Sequence, residues 1–290
     1  MNSPHMTKGS LVEFTTSDKL KLHGFLTGNL KAKTCVLFVH GMGGNFYRSE
    51  VLQAIRQQAV HDGVAFFSIN SRGADRLSKI NHVNGKRVPA GTCVEKFEEC
   101  VKDISSAIAA MSKCGFRNIV LCGHSTGCQK VTLYQYKTKN TFVKGLVLLA
   151  PCDDYNLHKA TLGTQWQVAV RRSNKLVRQG KSNEVQNNLP YGLSAQRFLS
   201  VASLKRVESR LFNYKSNLKE FSSITCPILA VFGSREEHAT KPVKTYLDIL
   251  AKKTRSKKFV SFIVKGANHG FQGHLSELAK KVLDWSKTVS

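Results

Sequence analysis

The pentapeptide Gly123-His124-Ser125-Thr126-Gly127 follows the apolar run Asn118-Ile119-Val120-Leu121-Cys122 and opens a stretch of helical character. A serine between two glycines at a strand-to-helix junction constrains the fold more than any other feature of the chain. The turn must be sharp, and the serine must hold a strained backbone conformation beside which larger neighbours do not fit. The pentapeptide alone is common by chance. In this context it reads as a serine nucleophile at the carboxyl edge of a parallel sheet.

The surrounding rhythm agrees. Short apolar runs alternate with amphipathic segments, which predicts a mostly parallel sheet with helices on both faces. Leu11 to Phe14 and Leu20 to Leu26 read as an opening antiparallel pair around Ser17-Asp18. Cys35 to Val39 and Val64 to Ile69 read as buried strands. Between them Tyr47, Val51, Ile55 and Ala59 recur at helical spacing, and Gly63 ends that helix. A polar loop runs from about Asn70 to Gly91, where Asn70-Ser71-Arg72-Gly73 reads as a plain turn or as part of a pocket floor. Thr92-Cys93-Val94-Glu95 fits a capping box for a helix that sets Phe97, Val101, Ile104, Ile108 and Met111 on one face. Further strands are predicted at Leu146–Leu149, Ile228–Phe232 and Phe259–Val264, and a last helix carries Leu275, Leu278, Val282 and Trp285.

From about Asp153 to Phe221 the strand rhythm disappears. The simplest organisation is a core of residues 7–152 and 223–290 with a helical cap, 153–222, inserted into it. Trp166, Tyr191, Phe198, Phe212 and Tyr214 form the core of that cap or line an acyl pocket, and Arg171, Arg172, Lys175 and Arg178 read as a solvated helix face, or else as a cluster that attracts an anionic substrate.

The chain has 290 residues, 41% of them hydrophobic, enough for one large core with an insertion. It contains no apolar run of the roughly 20 residues needed to cross a bilayer, and Met1 to Thr16 lack a basic start and an apolar stretch, so no secretory leader is expected; Met6 is a second candidate start. Eight cysteines, none in a C-x-x-C pair, read as small buried hydrophobes of a reducing compartment rather than a metal or disulfide framework. The formal net charge of +25 has no nucleic-acid motif beside it and modifies partners rather than defining a function.

A serine hydroxyl is a weak nucleophile at neutral pH and needs a base, a carboxylate to orient that base, and donors for the oxyanion. Candidates occur in the order serine, acid, histidine. His269, in Gly266-Ala267-Asn268-His269-Gly270-Phe271, follows the last strand, where it can reach over the carboxyl edge of the sheet. His61, His82, His158 and His274 lack that placement and read as surface residues, while His238 falls near the acid loop. Glu236, in Gly233-Ser234-Arg235-Glu236-Glu237, is the favoured acid; Glu237, Asp153 and Asp154 are alternatives that also fit helix-start or turn positions. The oxyanion donors are the N–H of Thr126 and that of Met42 in His40-Gly41-Met42-Gly43-Gly44, with Gly41 next. A phosphate-cradling role for this glycine-rich loop fails for want of a Gly-Lys-Ser/Thr sequence.

With H-G-M-G-G, G-H-S-T-G, G-S-R-E-E and G-A-N-H-G in that order, the chain resembles the α/β-hydrolase superfamily from about Leu11 to Trp285. Ser125-Thr126-Gly127-Cys128-Gln129 and Leu149-Ala150-Pro151-Cys152-Asp153-Asp154 are similar to a little-characterised subgroup related to fungal siderophore esterases. Many members of the superfamily carry Asp where this chain has Glu236. The resemblance implies an α/β-hydrolase fold and hydrolysis of a small-molecule ester. The expectation is a cytoplasmic serine esterase with no metal or organic cofactor, no specific nucleic-acid partner and no membrane span. An acyltransferase or peptidase would use the same triad, and a non-catalytic binding protein is the reading from another class. Substrate and oligomeric state are open at this level.

Overall fold

The computed structural model describes residues 6–289. Residues 1–5, the start of the segment read as lacking a leader, lie outside the described residues. Strands β1 (Ser10–Thr15) and β2 (Lys21–Thr27) pair antiparallel, Phe14 opposite Leu22. β3 (Thr34–Val39) leads into α1 (Glu50–His61), whose amino end is capped by Ser49 accepting from Leu52 N–H. Val51, Leu52, Ile55 and Ala59 face the core, whereas Tyr47 precedes the helix and is exposed. β4 (Ala65–Ile69) then lies parallel to β3, every residue buried.

The polar loop after β4 contains a short hairpin, β5 (Ser78–Asn81) and β6 (Arg87–Ala90), that the sequence pattern does not predict. The predicted capping box is a second difference. α2 (Cys100–Lys113) begins at Cys100, after a single 3-10 turn at Phe97–Glu99, and Thr92 and Glu95 cap nothing. Thr92 Oγ1 donates to Gly73 O at 3.0 Å and accepts from Gly43 N–H at 2.9 Å, and Glu95 pairs with Lys130 at 2.8 Å. Tertiary partners outcompete the local helix start.

β7 (Asn118–His124) runs into α3 (Thr126–Thr138), and β8 (Val143–Leu149) follows. Residues 153–222 hold α4 (Asp154–Leu162), α5 (Trp166–Arg178), α6 (Ala195–Ala202), α7 (Val207–Leu211) and α8 (Lys219–Ser222), and give the central sheet no strand among the described residues. The chain closes with β9 (Ile228–Gly233), α9 (Val243–Lys253), β10 (Phe259–Val264) and α10 (Leu275–Lys287).

The eight-stranded sheet has the order β1-β2-β4-β3-β7-β8-β9-β10 and is parallel from β4 to β10. Its central strands are near-continuously apolar because helices cover both faces; α1 packs against α10, and α2 against α3. Strand order reverses between β3 and β7, and a crevice at the carboxyl ends of such a switch point is where open α/β sheets bind ligands. The loop after β3 and the turn after β7 meet there.

The aromatics of 153–222 divide. Trp166 and Phe198 pack edge to face in a cluster with Leu193 and Val201, Phe212 and Tyr214 join the main core, and Tyr191 is 46% exposed. Arg171, Arg172, Lys175 and Arg178 lie on the exposed face of α5. Six cysteines are buried, Cys226 is half-buried and Cys114 is exposed. Among the described residues no helix is long and apolar enough to cross a membrane.

Candidate active site

Ser125 stands at the N-cap position of α3, its side chain making no capping bond, with φ 55° and ψ −131°, a conformation a non-glycine residue holds at a cost of about 1–3 kcal/mol. Neighbours fix it there: Ser125 N–H donates to Leu149 O at 2.9 Å, and Cys128 N–H to Ser125 O at 2.8 Å. The flanking glycines are required by close approach. A Cβ on Gly123 would lie 2.4 Å from the Gly127 carbonyl, and one on Gly127 would lie 2.2 Å from Val39 O. Gly41 is pressed on the serine itself, where a Cβ would come within 2.9 Å of Ser125 Cβ.

Glu236 and His269 stand on adjacent loops, beyond β9 and β10. Arg235 N–H to Ala267 O at 2.8 Å and Ser234 N–H to Val264 O at 2.9 Å join those loops. Glu236 Oε1 meets His269 Nδ1 at 2.8 Å and also accepts from His238 N–H at 3.1 Å. Glu237 has a different task, accepting the His269 backbone N–H at 2.8 Å. Opposite it, His124 Nε2 donates to His269 O at 3.0 Å. His124 is the first of the two variable residues of the G-x-S-x-G turn, so the serine turn and the histidine loop are tied directly. Burial, with the neighbouring His269 adding to it, pushes the His124 imidazole down to about 3, which keeps it a neutral donor. His238 stands edge-on to His269 with ring centroids 4.4 Å apart. Ser125 is half-buried and adjoins His124 in the turn, and among the described residues no hydrogen bond joins its Oγ to His269.

The remaining acids lie elsewhere. Asp153 caps α4 through Asn156 N–H at 3.0 Å. Asp154 accepts from Thr126 Oγ1 at 3.1 Å and Gln129 Nε2 at 2.9 Å, and burial raises its carboxyl to about 7. His158 corrects the surface reading: it is 3% exposed, on the inner side of α4 facing Tyr191, and burial lowers it to about 4.

The loop after β3 is held from below. Its Gly43 N–H is taken by Thr92 and its Gly44 N–H by Gly41 O, whereas among the described residues no protein acceptor takes Met42 N–H. Thr126 is the first residue of α3, where a helix offers its N–H no carbonyl four residues back. His40 Nδ1 lies 2.8 Å from Gly41 O, and His40 Nε2 accepts from Ser71 N–H at 3.2 Å. That assigns His40 as neutral with its proton on Nδ1, and burial lowers it to about 4. Beneath Ser71 runs a chain of buried charges: Lys130 to Glu95 at 2.8 Å, Glu95 to Arg197 at 3.5 Å, and Arg197 to Glu208 at 2.5 Å. Arg72 is no plain turn residue either; it is buried against Asp103 at 2.8 Å and also pairs with Asp18 and Glu99.

A family profile, DUF1749, described as a protein of unknown function, matches residues 89–286. The chain belongs to the DUF1749 family. The matched region runs from β6 into α10 and contains Ser125, Glu236 and His269. No curated protein matches this DUF1749 chain in sequence. In structure it is similar to Est1E from Butyrivibrio proteoclasticus with ferulic acid bound, at 17% identity over 95% of this chain and 98% of Est1E, with a TM-score of 0.65. It is similar to the esterase Pf2001 from Pyrococcus furiosus at 14% identity over 97% and 90% of the two chains, TM-score 0.64. A complex of DcsB with its substrate analogue is similar at 14% identity over 98% and 100%, TM-score 0.68. At these identities the likeness is one of fold, and this DUF1749 protein has the α/β-hydrolase fold.

Proposed function

We propose that this protein is a serine esterase acting on small carboxylic esters. Ser125 Oγ attacks the ester carbonyl while His269 Nε2 takes its proton, and Glu236 holds the Nδ1–H and stabilises the imidazolium. The N–H groups of Met42 and Thr126 receive the oxyanion. His269 then protonates the departing alcohol, and water activated by the same ring releases the acid from the acyl-enzyme. The observation that carries this reading is the 2.8 Å Glu236–His269 contact beside a strained serine turn, with His124 joining the two. Est1E and Pf2001 are α/β-hydrolase neighbours, Pf2001 is named an esterase and Est1E holds ferulic acid, which supports ester chemistry.

Hydrogen bonds between nucleophile and base often tighten only when substrate is bound, so a serine not yet bonded to its base is compatible with the reading. Residues 153–222 serve as a cap on a core of 7–152 and 223–290. Met42 packs against the Trp166–Phe198 cluster of that segment, so the cap bears on the oxyanion loop. A fluorophosphonate probe and short p-nitrophenyl esters test the proposal. Labelling at Ser125, and loss of both labelling and hydrolysis in Ser125→Ala, is the expected result; a folded wild-type protein that neither labels nor hydrolyses overturns it.

A further inference from the structure

The candidate triad has a third donor beside it that esterase chemistry leaves unused. Cys152, in the turn after β8, sets Sγ 3.7 Å from His269 Nδ1, the same nitrogen that meets Glu236 Oε1. The sulfur, the nitrogen and a Glu236 oxygen all lie within 4.8 Å of one another. Cys152 and Glu236 are 4% and 7% exposed, and Glu236 Oε2 has no hydrogen-bond partner. A buried carboxylate oxygen left unmatched is unfavourable. A thiol, an imidazole and a carboxylate converging on one point form the donor set of a thiophilic divalent cation.

The dimensions fit. Bonds of about 2.3 Å to sulfur and about 2.0 Å to nitrogen at a tetrahedral angle separate the two donor atoms by about 3.5 Å, close to the separation found. Charge fits as well, since one thiolate and one carboxylate cancel the two charges of the ion in this buried position.

We infer that Cys152, Glu236 and His269 form a Zn2+ site that switches Ser125 off. On binding, a Zn–Sγ bond replaces the Sγ–H bond and that proton leaves to water. The ring proton moves from Nδ1 to Nε2 as Nδ1 takes the metal, so the imidazole stays neutral. With Nε2 protonated, His269 cannot accept the serine proton. The switch rests on the esterase reading; metal binding by the three side chains does not.

Cobalt separates the two. Metal-free full-length protein, with the exposed Cys114 changed to Ala so that it cannot compete, is titrated with Co2+ and then Zn2+. A near-ultraviolet thiolate-to-cobalt charge-transfer band, removed by added Zn2+ and absent in Cys152→Ala, is expected. Zn2+ should inhibit ester hydrolysis reversibly to chelator, and Cys152→Ala, scored against its own metal-free rate, should need at least about tenfold more Zn2+. No band in the Cys114→Ala protein, or an unchanged band in Cys152→Ala, overturns the site. A band without inhibition of an active enzyme overturns the switch. A protein that is inactive when metal-free overturns the esterase reading instead, and the cobalt band still decides the site.

Discussion

Glu236→Gln tests the electrostatic core of the proposal with little change of shape. Glu236 Oε1 accepts two N–H groups, from His269 Nδ1 and His238, and its Oε2 accepts none. A glutamine carbonyl oxygen can take the same two bonds, leaving its NH2 where no partner is lost. The difference is then one charge beside a ring that becomes positive only as Ser125 is deprotonated. With charge centres about 4 Å apart and an effective dielectric near 20, that charge stabilises the imidazolium by about 4 kcal/mol, or about 1,000-fold in rate. Conversion of a serine-protease triad carboxylate to an amide lowers kcat by roughly 10,000-fold, about tenfold more than the charge alone, because the amide there also favours the wrong imidazole tautomer. Because the stabilisation exists only in the transition state, kcat and kcat/KM should fall together while KM holds. Hydrolysis of p-nitrophenyl acetate and the rate of fluorophosphonate labelling report it directly. Glu237→Gln is the control: it keeps an oxygen for His269 N–H and should stay within about fivefold of wild type, the difference between a charged and a neutral acceptor. If Glu236→Gln stays within about tenfold of wild type and Glu237→Gln does not, the acid has been assigned to the wrong residue and the reasoning fails.

Three other perturbations probe the frame around the site. Gly41→Ala drives a methyl to 2.9 Å from both Ser125 Cβ and His124 O, so labelling should slow by about 100-fold, the penalty for displacing reacting groups by about 1 Å; labelling at the wild-type rate would mean the loop yields freely. Lys130→Met leaves the buried Glu95 with Arg197 alone at 3.5 Å and should lower stability by about 3–5 kcal/mol in urea denaturation; a loss under about 1 kcal/mol would refute a structural role for the charge chain. His158→Asn tests proton linkage. The unfolded histidine takes up a proton as pH falls through 6.5, while the folded one stays neutral to about 4, so a penalty absent above pH 6.5 grows to about 3 kcal/mol by pH 4. Urea midpoints should therefore fall less steeply with acid in the variant than in wild type, and parallel curves would show that His158 titrates normally.

The serine turn was legible because its demands are local: a strand, two residues without side chains and a helix, all within a dozen positions. The carboxylate on the His269 ring was legible only as the favoured member of four, Glu236 ahead of Glu237, Asp153 and Asp154. Chain order and the end of β9 point to Glu236-Glu237, but which carboxylate faces the ring depends on the loop after β10, some 30 residues on, and the fold uses both, one on the ring and one on the backbone. His124 and Lys130 carried no signal at all. A variable position within a motif has no preferred partner, and α3 buries every residue from Thr126 to Gln135, polar ones included, so its pattern of apolar residues does not reveal which side chain meets a charge. The capping box misled for a related reason, since Glu95 is 35 positions from the lysine that claims it.

That same charge chain constrains how residues 153–222 can behave. One end lies beneath His40, which fixes the Gly41 carbonyl next to Met42; the other is Arg197 on α6 and Glu208 on α7. Lifting the segment as a hinged lid would part Arg197 from Glu95 and leave charges uncompensated in the interior, at a cost of about 3–5 kcal/mol for one broken pair. Asp154 adds a second tie, from α4 to Thr126 and Gln129 on the serine helix. Tyr191 adds a third tie, its carbonyl accepting from Arg76 Nε at 3.2 Å and from Cys93 Sγ at 3.1 Å; on the proposed esterase reading, substrate therefore reaches Ser125 with α6, the start of α4 and the turn at Tyr191 all seated on the core.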